Sequence, residues 1–253
     1  MNIISDACKY FSFPKKCVVN KKIFKKTFYD NADIAKTAHK LIRDEVEDMF
    51  WLYNLTPKTI NVSSYTDDEY QYQEIQIISA KLKSQKTANK ILSVLQGAMP
   101  YPVVIIAESN GLISLNTALK RKSKAGEDKL TVENTYCTDW LNINALSSNQ
   151  EKFLRSLSTK GLSFINLYEL YADIARRVRL LALCEYKSEY AILGKKQSET
   201  AFKAYDKIKE METELVSLRR KIKDVSFADQ VKLNVEIKRL GKTIKTYKRR
   251  LDS

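Results

Sequence analysis

Two stretches near the end of the chain place apolar residues alternately three and four positions apart. This spacing is typical of a helix that buries one seam against a second helix. The first stretch covers residues 208–225 and the second covers residues 233–251. The seam positions that we expect to carry the packing are Ile208, Leu215, Leu218, Ile222, Leu233, Ile237, Leu240, Ile244, Tyr247 and Leu251.

The connection between the two stretches is short and contains a helix start signal. Ser226 is followed three residues later by Asp229, which is the spacing of a capping box. Two helices that are joined by a short connection pack antiparallel. The pattern therefore predicts an antiparallel coiled-coil hairpin over residues 197–253, formed within one chain or between two chains.

The first half of the chain contains several strand patterns. Residues 103–107 are continuously apolar, which indicates a central strand covered on both faces. An Asn-Gly turn follows, and two further strands are predicted between this turn and Trp140. Residues 72–83 alternate apolar and polar positions, which predicts a strand with one buried face.

Helical patterns are interspersed with these strands. Residues 30–55 carry an approximate helical stripe and predict one long helix that Pro57 stops. Residues 59–65 then predict a short strand. Residues 84–99 predict a second helix, which Gly97 closes as a left-handed C-cap.

These elements together predict an α+β protein: a mixed β-sheet covered by helices, followed by a helical region that ends in the coiled-coil hairpin. We expect an α+β domain over residues 1–140, a helical region over residues 141–196 and the hairpin over residues 197–253. The chain has no apolar run long enough to cross a membrane and begins without a secretion signal, so we expect a cytoplasmic protein.

Net charge adds a candidate binding chemistry. The sequence has 44 Lys and Arg against 30 Asp and Glu, a net charge of +14, and such a field attracts DNA or RNA. Lysines on an edge strand or on the outer face of a coiled coil are often only solvated, so this simpler interpretation stays open. The candidate nucleic-acid contacts are Lys15, Lys16, Lys21, Lys22, Lys25 and Lys26 near the start, and Lys238, Arg239, Lys242, Lys245, Lys248, Arg249 and Arg250 near the end.

The sequence contains only weak signals of a catalytic site. A restriction-type nuclease core needs carboxylates and a lysine around one metal ion, and the candidates are Glu45 and Glu47 on the first helix, Glu74 on a strand, and Lys81. Gln76 occupies the position where an acid-x-lysine signature has its lysine, and these acids otherwise solvate helix and strand faces. Four scattered cysteines and a single histidine predict no disulfide framework, no metal site and no cofactor.

Several motifs along the chain resemble one known family. PYPVVII, TINV, the triplet Thr138-Asp139-Trp140 and VKLNVEIKRL are similar to the bacterial and archaeal family catalogued as domain of unknown function 4391. The family pattern has glutamate where Asp139 stands and usually asparagine near Ala228. The resemblance implies proteins found beside DNA methyltransferases and helicases in restriction-modification or other anti-phage loci. It implies no established activity, and no site residues carry over.

We therefore expect a non-catalytic accessory or scaffold protein of a prokaryotic anti-phage or restriction-modification-type system. It would act near DNA with a helicase, methyltransferase or nuclease subunit as its partner. The alternatives are a degenerate restriction-type metal-dependent nuclease and a sequence-independent nucleic-acid-binding protein.

Overall fold

Eight strands and nine α-helices are present in the part of the chain that our computed structural model describes, residues 3–31, 35–123 and 130–252. The strands are β1 Val18–Lys22, β2 Val46–Leu55, β3 Tyr65–Thr66, β4 Gln71–Tyr72, β5 Ile75–Leu82, β6 Val103–Ser109, β7 Leu112–Lys122 and β8 Leu130–Cys137. The α-helices are α1 Ile3–Cys8, α2 Lys26–Asn31, α3 Lys36–Glu45, α4 Pro57–Ile60, α5 Ala88–Ala98, α6 Ser148–Ser156, α7 Leu167–Ala182, α8 Lys195–Lys221 and α9 Phe227–Asp252.

The chain forms two compact units, Met1–Ala182 and Leu183–Ser253. The sequence pattern placed boundaries after residues 140 and 196 instead. The difference arises because α7, which the sequence pattern placed in a separate helical region, packs on β7 and β8, and α6 packs on α7. The α+β class, the mixed sheet and the packed pair of C-terminal helices are confirmed.

A six-stranded mixed sheet in the order β1-β2-β5-β6-β7-β8 is the centre of the first unit. The β5–β6 pair is parallel, and the other neighbouring strands pair antiparallel. Parallel neighbours need a crossover outside the sheet plane, and α5 supplies it. Strands β3 and β4 form a separate two-stranded sheet.

The predicted long helix over residues 30–55 is wrong in its second half. Helix α3 ends at Glu45, and β2 begins at Val46 and pairs with a strand on each side. The apolar spacing was compatible with a helix, but Val46, Phe50 and Trp51 are β-branched or aromatic residues that favour strands. Pairing with two neighbours decides the outcome, and the amino-terminal part of this prediction, residues 32–34, lies outside the described residues.

The predicted strand over residues 59–65 is also wrong. Thr56 caps a single helical turn, α4, through a capping box with Thr59, and Pro57 occupies the first helical position. Proline suits this position because its fixed φ matches a helix and its missing N–H is not needed there. Asn61 then ends the turn in the left-handed conformation, with φ of 58°.

The strand predicted near residues 72–83 exists as β5, but it is not half-buried. Every residue from Ile75 to Ala80 is buried, including the polar Gln76 and Ser79. Alternating polarity indicated a solvent-facing side, whereas the residues on both sides of this strand are buried. The central strand over residues 103–107 is confirmed as β6.

The turn after β6 is confirmed, whereas the predicted helix cap is not. Asn110 and Gly111 have φ of 53° and 74°, as a two-residue hairpin turn requires. Gly97 instead lies inside α5, which ends at Ala98, and its φ is not positive. Met99 is the C-cap in an extended conformation, so this helix ends without a left-handed residue.

Helices α3 and α5 cover one face of the sheet. Their apolar side chains pack against alternate residues of β2, β5 and β6 in one continuous core. Its fully buried members include Ile42, Val46, Ile78, Ile91, Leu95, Val103, Ile105 and Ala107.

Helix α7 packs against β7 and β8, and the buried Tyr171 ties it to the sheet. The Tyr171 hydroxyl donates to the Val103 carbonyl at 2.7 Å and accepts from the Ala118 N–H at 2.9 Å. One phenol thus bridges β6 and β7 from outside the sheet. Burial raises the pKa of Tyr171, so the hydroxyl stays protonated and able to donate.

A buried lysine lies among these strands. Lys120 on β7 is fully buried, and its ammonium nitrogen donates to the carbonyls of Met99 and Tyr101 at 2.8 Å each. No carboxylate is bonded to it in the described part of the chain. Burial lowers its pKa to about 7, because the charged form loses its hydration.

Lys120 should therefore make stability rise with pH. Its pKa is about 7 when folded and 10.5 in the reference state, so the unfolded chain binds more protons across this interval. We expect the free energy of unfolding of the wild type, relative to Lys120→Met, to rise by about 2 kcal/mol from pH ~7 to pH ~9 in urea titrations. Above this range the Cys8 thiol opposes the trend, since burial raises its pKa to about 11.

The exposed Lys40→Met is the matched control, and we expect it to keep the wild-type pH profile. A wild-type profile retained in Lys120→Met would contradict the assignment.

A buried ion pair holds α7 to the segment before it. The Arg177 guanidinium donates to Asp173 at 2.9 Å and to the carbonyls of Ser156 and Gly161. Asp173 also accepts from the Ser163 N–H at 3.0 Å. Both side chains of the pair are almost completely buried, at 3% and 4% exposure, so their opposite charges compensate each other away from water.

Arg177→Ala should therefore destabilise the first unit strongly. Truncation removes the buried cationic partner of Asp173 and the donor to the Ser156 and Gly161 carbonyls, and the loss of such a buried pair costs about 3 to 5 kcal/mol. Arg176→Ala is the matched control, because Arg176 also pairs with Asp173 but is 24% exposed. We expect a smaller loss there, and equal losses in urea unfolding would show that burial of the pair is not the cause.

Candidate nucleic-acid interface

The four candidate nuclease residues do not converge on one point. Glu74 directly precedes β5 and Lys81 lies near the far end of the same strand. Seven residues of extended strand separate them by about 23 Å. The Glu74 carboxylate instead accepts a hydrogen bond from Gln76 at 2.6 Å.

The other two candidate carboxylates are engaged with different neighbours. Glu47 lies on β2, not on the predicted helix, and pairs with Lys81 at 2.8 Å, which raises the pKa of this lysine. Glu45 ends α3 and accepts from the Thr87 hydroxyl at 2.9 Å. Among the described residues, no group of three or more His, Cys, Asp and Glu side chains is arranged to hold a metal ion.

The lysines near the start of the chain lie along a sheet edge. Lys21 and Lys22 are on β1, an outer strand of the sheet. Lys22 pairs with Asp48 at 2.6 Å, and Lys25 donates to the Arg43 carbonyl at 3.1 Å. Charged residues on an outer strand also discourage pairing with other chains. Lys15 and Lys16 precede β1 in an exposed 3₁₀ turn, and Lys26 opens α2.

Tyrosine rings in the first unit pack mainly against one another. Tyr65, Tyr70 and Tyr72 surround Tyr168 of α7, with ring centroids 4.7 to 5.3 Å apart. Tyr72 is fully buried and its hydroxyl donates to the Lys120 carbonyl. These contacts attach the β3–β4 hairpin to α7 and use ring faces that base stacking would need.

Helices α8 and α9 of the second unit pack along the predicted seam. Ile208 and Met211 of α8 and Ile244 and Leu251 of α9 are buried. The remaining seam positions are half-buried. Ser226 accepts from the Asp229 N–H at 3.3 Å, which is the bond that an N-cap side chain makes at the start of a helix.

Lys248 is a structural cation of the hairpin. It pairs with Glu212 of α8 at 2.6 Å and lies over the Tyr186 ring, 4.3 Å from the centroid. The Tyr186 hydroxyl donates to Glu212 at 2.6 Å. Burial opposes ionisation of Glu212, but the bonds from Lys248 and Tyr186 outweigh it and lower the pKa. The heptad pattern gave no signal for Tyr186, because this residue precedes α8 and reaches the hairpin only through folding.

Four cations of α9 instead share one exposed face. Lys238, Lys242, Lys245 and Arg249 are spaced four, three and four residues apart, within about 60° of arc and about 16 Å of helix. All four are exposed, and none forms an ion pair with a described residue. We call them the α9 stripe. Arg239 is exposed on the adjacent flank, and Arg250 borders a groove considered below.

The comparisons with known proteins bear on the whole chain. The model of the family described as domain of unknown function (DUF4391) matches residues 11–244. The chain belongs to this family. The match includes the sheet of the first unit, all of α8, and α9 as far as Ile244. No curated protein and no solved structure matches the chain. This family member has no helix, within the described residues, that is long and apolar enough to span a bilayer.

Because Lys248 is paired and Lys245 is exposed without an ion pair to a described residue, the same substitution should affect stability differently at the two positions. Lys248→Gln removes an ion pair and a cation–π contact, and we expect the free energy of unfolding to fall by about 1 kcal/mol. Lys245→Gln removes a solvated charge and should change it by less than about 0.5 kcal/mol. Urea unfolding followed by helical circular dichroism measures both, and equal effects would argue against a structural role for Lys248.

Proposed function

We propose that this protein is a non-catalytic accessory protein that contacts DNA through the α9 stripe, without sequence preference, and holds a larger enzyme subunit there. The partner class follows from the family resemblance: a helicase, methyltransferase or nuclease subunit of an anti-phage or restriction-modification-type system. The stripe carries the DNA part of the proposal, because its charges have no counter-charge on the described surface.

The geometry of the stripe suits a polyanion more than a small anion. Lys238, Lys242, Lys245 and Arg249 spread four positive charges in a row along one side of α9, rather than around a single point. Double-stranded DNA carries one negative charge per about 1.7 Å of axis, so several phosphates lie within reach of a 16 Å row. Contacts to phosphates position a protein but carry no sequence information.

The placement of the acidic residues favours an accessory role over catalysis. Glu74 and Lys81 lie at opposite ends of one strand, and Glu47 is paired with Lys81. A metal ion needs its oxygen ligands within about 2.6 Å, so the four candidates together do not form one site. DNA cleavage with Mg²⁺ or Mn²⁺ that is lost in Glu74→Ala would overturn this part of the proposal.

The DNA contact predicts a salt dependence that the stripe controls. Each phosphate contact contributes about −0.9 to the slope of log K against log salt, so four contacts contribute about −3.6. We expect the quadruple variant Lys238→Gln, Lys242→Gln, Lys245→Gln and Arg249→Gln to lose most of this slope on duplex DNA, measured by fluorescence anisotropy.

The matched control is Lys15→Gln, Lys16→Gln and Lys21→Gln, which removes three exposed cations of the first unit. We expect it to leave most of the slope intact. A control variant that removes the larger part of the slope would place the interface at the β1 edge. No binding at low salt, or binding confined to RNA, would contradict the proposal.

The accessory role is tested separately by affinity purification of the tagged protein from its native host, with and without nuclease treatment. A helicase, methyltransferase or nuclease subunit that remains bound after nuclease treatment supports a direct protein contact. Loss of every such subunit on treatment would leave a DNA-binding protein without the proposed partner.

A further inference from the structure

The second unit contains an open groove where the first half of α8 meets the last turn of α9. Its volume is about 870 Å³, and residues of both helices and of the segment before α8 line it. Its apolar lining comprises Leu193, Ala201, Ala204, Tyr247 and Leu251. We call this the α8 groove.

The groove follows the seam of α8 beyond the point where α9 fills it. Ala204 and Ala201 precede Ile208 by four and seven residues, so they continue its three-and-four spacing towards the start of the helix. Ile208 is fully buried, whereas Ala201 and Ala204 are only half-buried. Leu251 is the last seam residue of α9, one residue before this helix ends. The alanines leave space in a seam that larger residues fill elsewhere.

The charged part of the lining has one sign. None of the residues that line the groove is acidic. Five of them are cations: Lys187, Lys196, Lys203, Lys207 and Arg250. Lys187 donates to the Leu251 carbonyl at 2.6 Å, and Lys207 pairs with Glu210 at 3.1 Å. Lys196 and Lys203 are exposed and have no ion pair with a described residue.

Another hollow on α8 shows that this charge is not general to the helix. It is lined by Asp206, Lys209, Glu210, Thr213, Glu214 and Ser217, with three acids against one lysine. The groove therefore combines a continuing helix seam with a local excess of positive charge.

We propose that the α8 groove binds an acidic amphipathic helix of a partner protein, which adds a third helix to the α8–α9 hairpin. This inference rests on the proposed accessory function and names the chemistry of the partner segment. The apolar residues of the incoming helix pack on Ala201, Ala204 and Tyr247, and its carboxylates face Lys196 and Lys203. The groove extends along α8 from Lys196 to Lys207, about 16 Å, which accommodates about three helical turns.

A nucleic-acid strand fits these features less well. A phosphate chain would pair with the cations but would leave the alanine-lined seam uncovered. A helix with apolar residues at seam spacing and acids on its flanks uses both parts of the lining.

The test uses the full-length protein and two fluorescein-labelled synthetic helices of about four turns. Both have leucine at seam positions, and one has glutamate and the other lysine at the flanking positions. We expect saturable anisotropy binding of the acidic helix only. Lys196→Glu combined with Lys203→Glu should weaken it roughly tenfold or more, and Ala204→Trp should block it by filling the groove.

Matched controls lie on the same hairpin outside the groove. Thr213→Trp places the same side chain on an exposed position of α8, and Lys238→Glu combined with Lys245→Glu reverses the same number of charges on α9. We expect both to bind the acidic helix as the wild type does. Circular dichroism checks the fold of Ala204→Trp, and the two lysine reversals test the groove if this variant is unfolded.

Three results would overturn the inference: no saturable binding of the acidic helix, equal binding of the lysine helix, or binding that the groove variants leave unchanged. The two proposals fail separately in these assays. Groove variants should retain DNA binding with its salt slope, and the quadruple variant of the α9 stripe should retain binding of the acidic helix. If the groove variants instead lose DNA binding, the groove is a nucleic-acid site and the inference is wrong.

Discussion

Parallel pairing of β5 with β6 is the constraint on which the first unit depends. It requires α5 to cross outside the sheet, and that crossing covers one face of the central strands. Helix α7 packs on β7 and β8, and every residue of β5 from Ile75 to Ala80 is buried. Burial of a polar group costs free energy unless the group is hydrogen-bonded. The Gln96 amide nitrogen donates to Asn116 at 2.8 Å, and the Tyr171 hydroxyl bridges two strands.

The geometry of the hairpin determines which cations of the second unit are paired and which are exposed. Lys248 faces α8 and joins Glu212 and Tyr186, so its charge is used within the fold. Lys245, one turn earlier, faces outward and has no ion pair with a described residue. A net charge of +14 therefore overstates the surface that is open to an anion, because only some cations remain without a counter-charge. The same distinction separates Lys22, which is paired with Asp48, from Lys21 on the neighbouring position of β1.

Strong local signals predicted their elements correctly. The apolar run of β6, the Asn110-Gly111 turn and the two packed C-terminal helices depend on residues that are close in sequence. Weaker signals failed where long-range pairing competed with them. Met49 and Leu52 fitted a helical stripe, but pairing with β1 and β5 places this segment in the sheet. Gly97 resembled a helix cap, but α5 continues through it. The carboxylates Glu47 and Glu74 were candidates for one site, yet the antiparallel pairing of β2 with β5 places them near opposite ends of the two strands.

Composition and short-range spacing were enough to predict the α+β class, the heptad seam from Ile208 to Leu251 and the basic character, and the resemblance of several motifs indicated the family. Folding does not alter these properties of the sequence. Tertiary structure decided which cations are neutralised, where the carboxylates lie and where the seam of α8 is left open. Those properties depend on which residues meet across the sheet and between helices. The physical reason is that a counter-charge or a packing partner acts only at contact distance, and contact between distant residues is set by the fold.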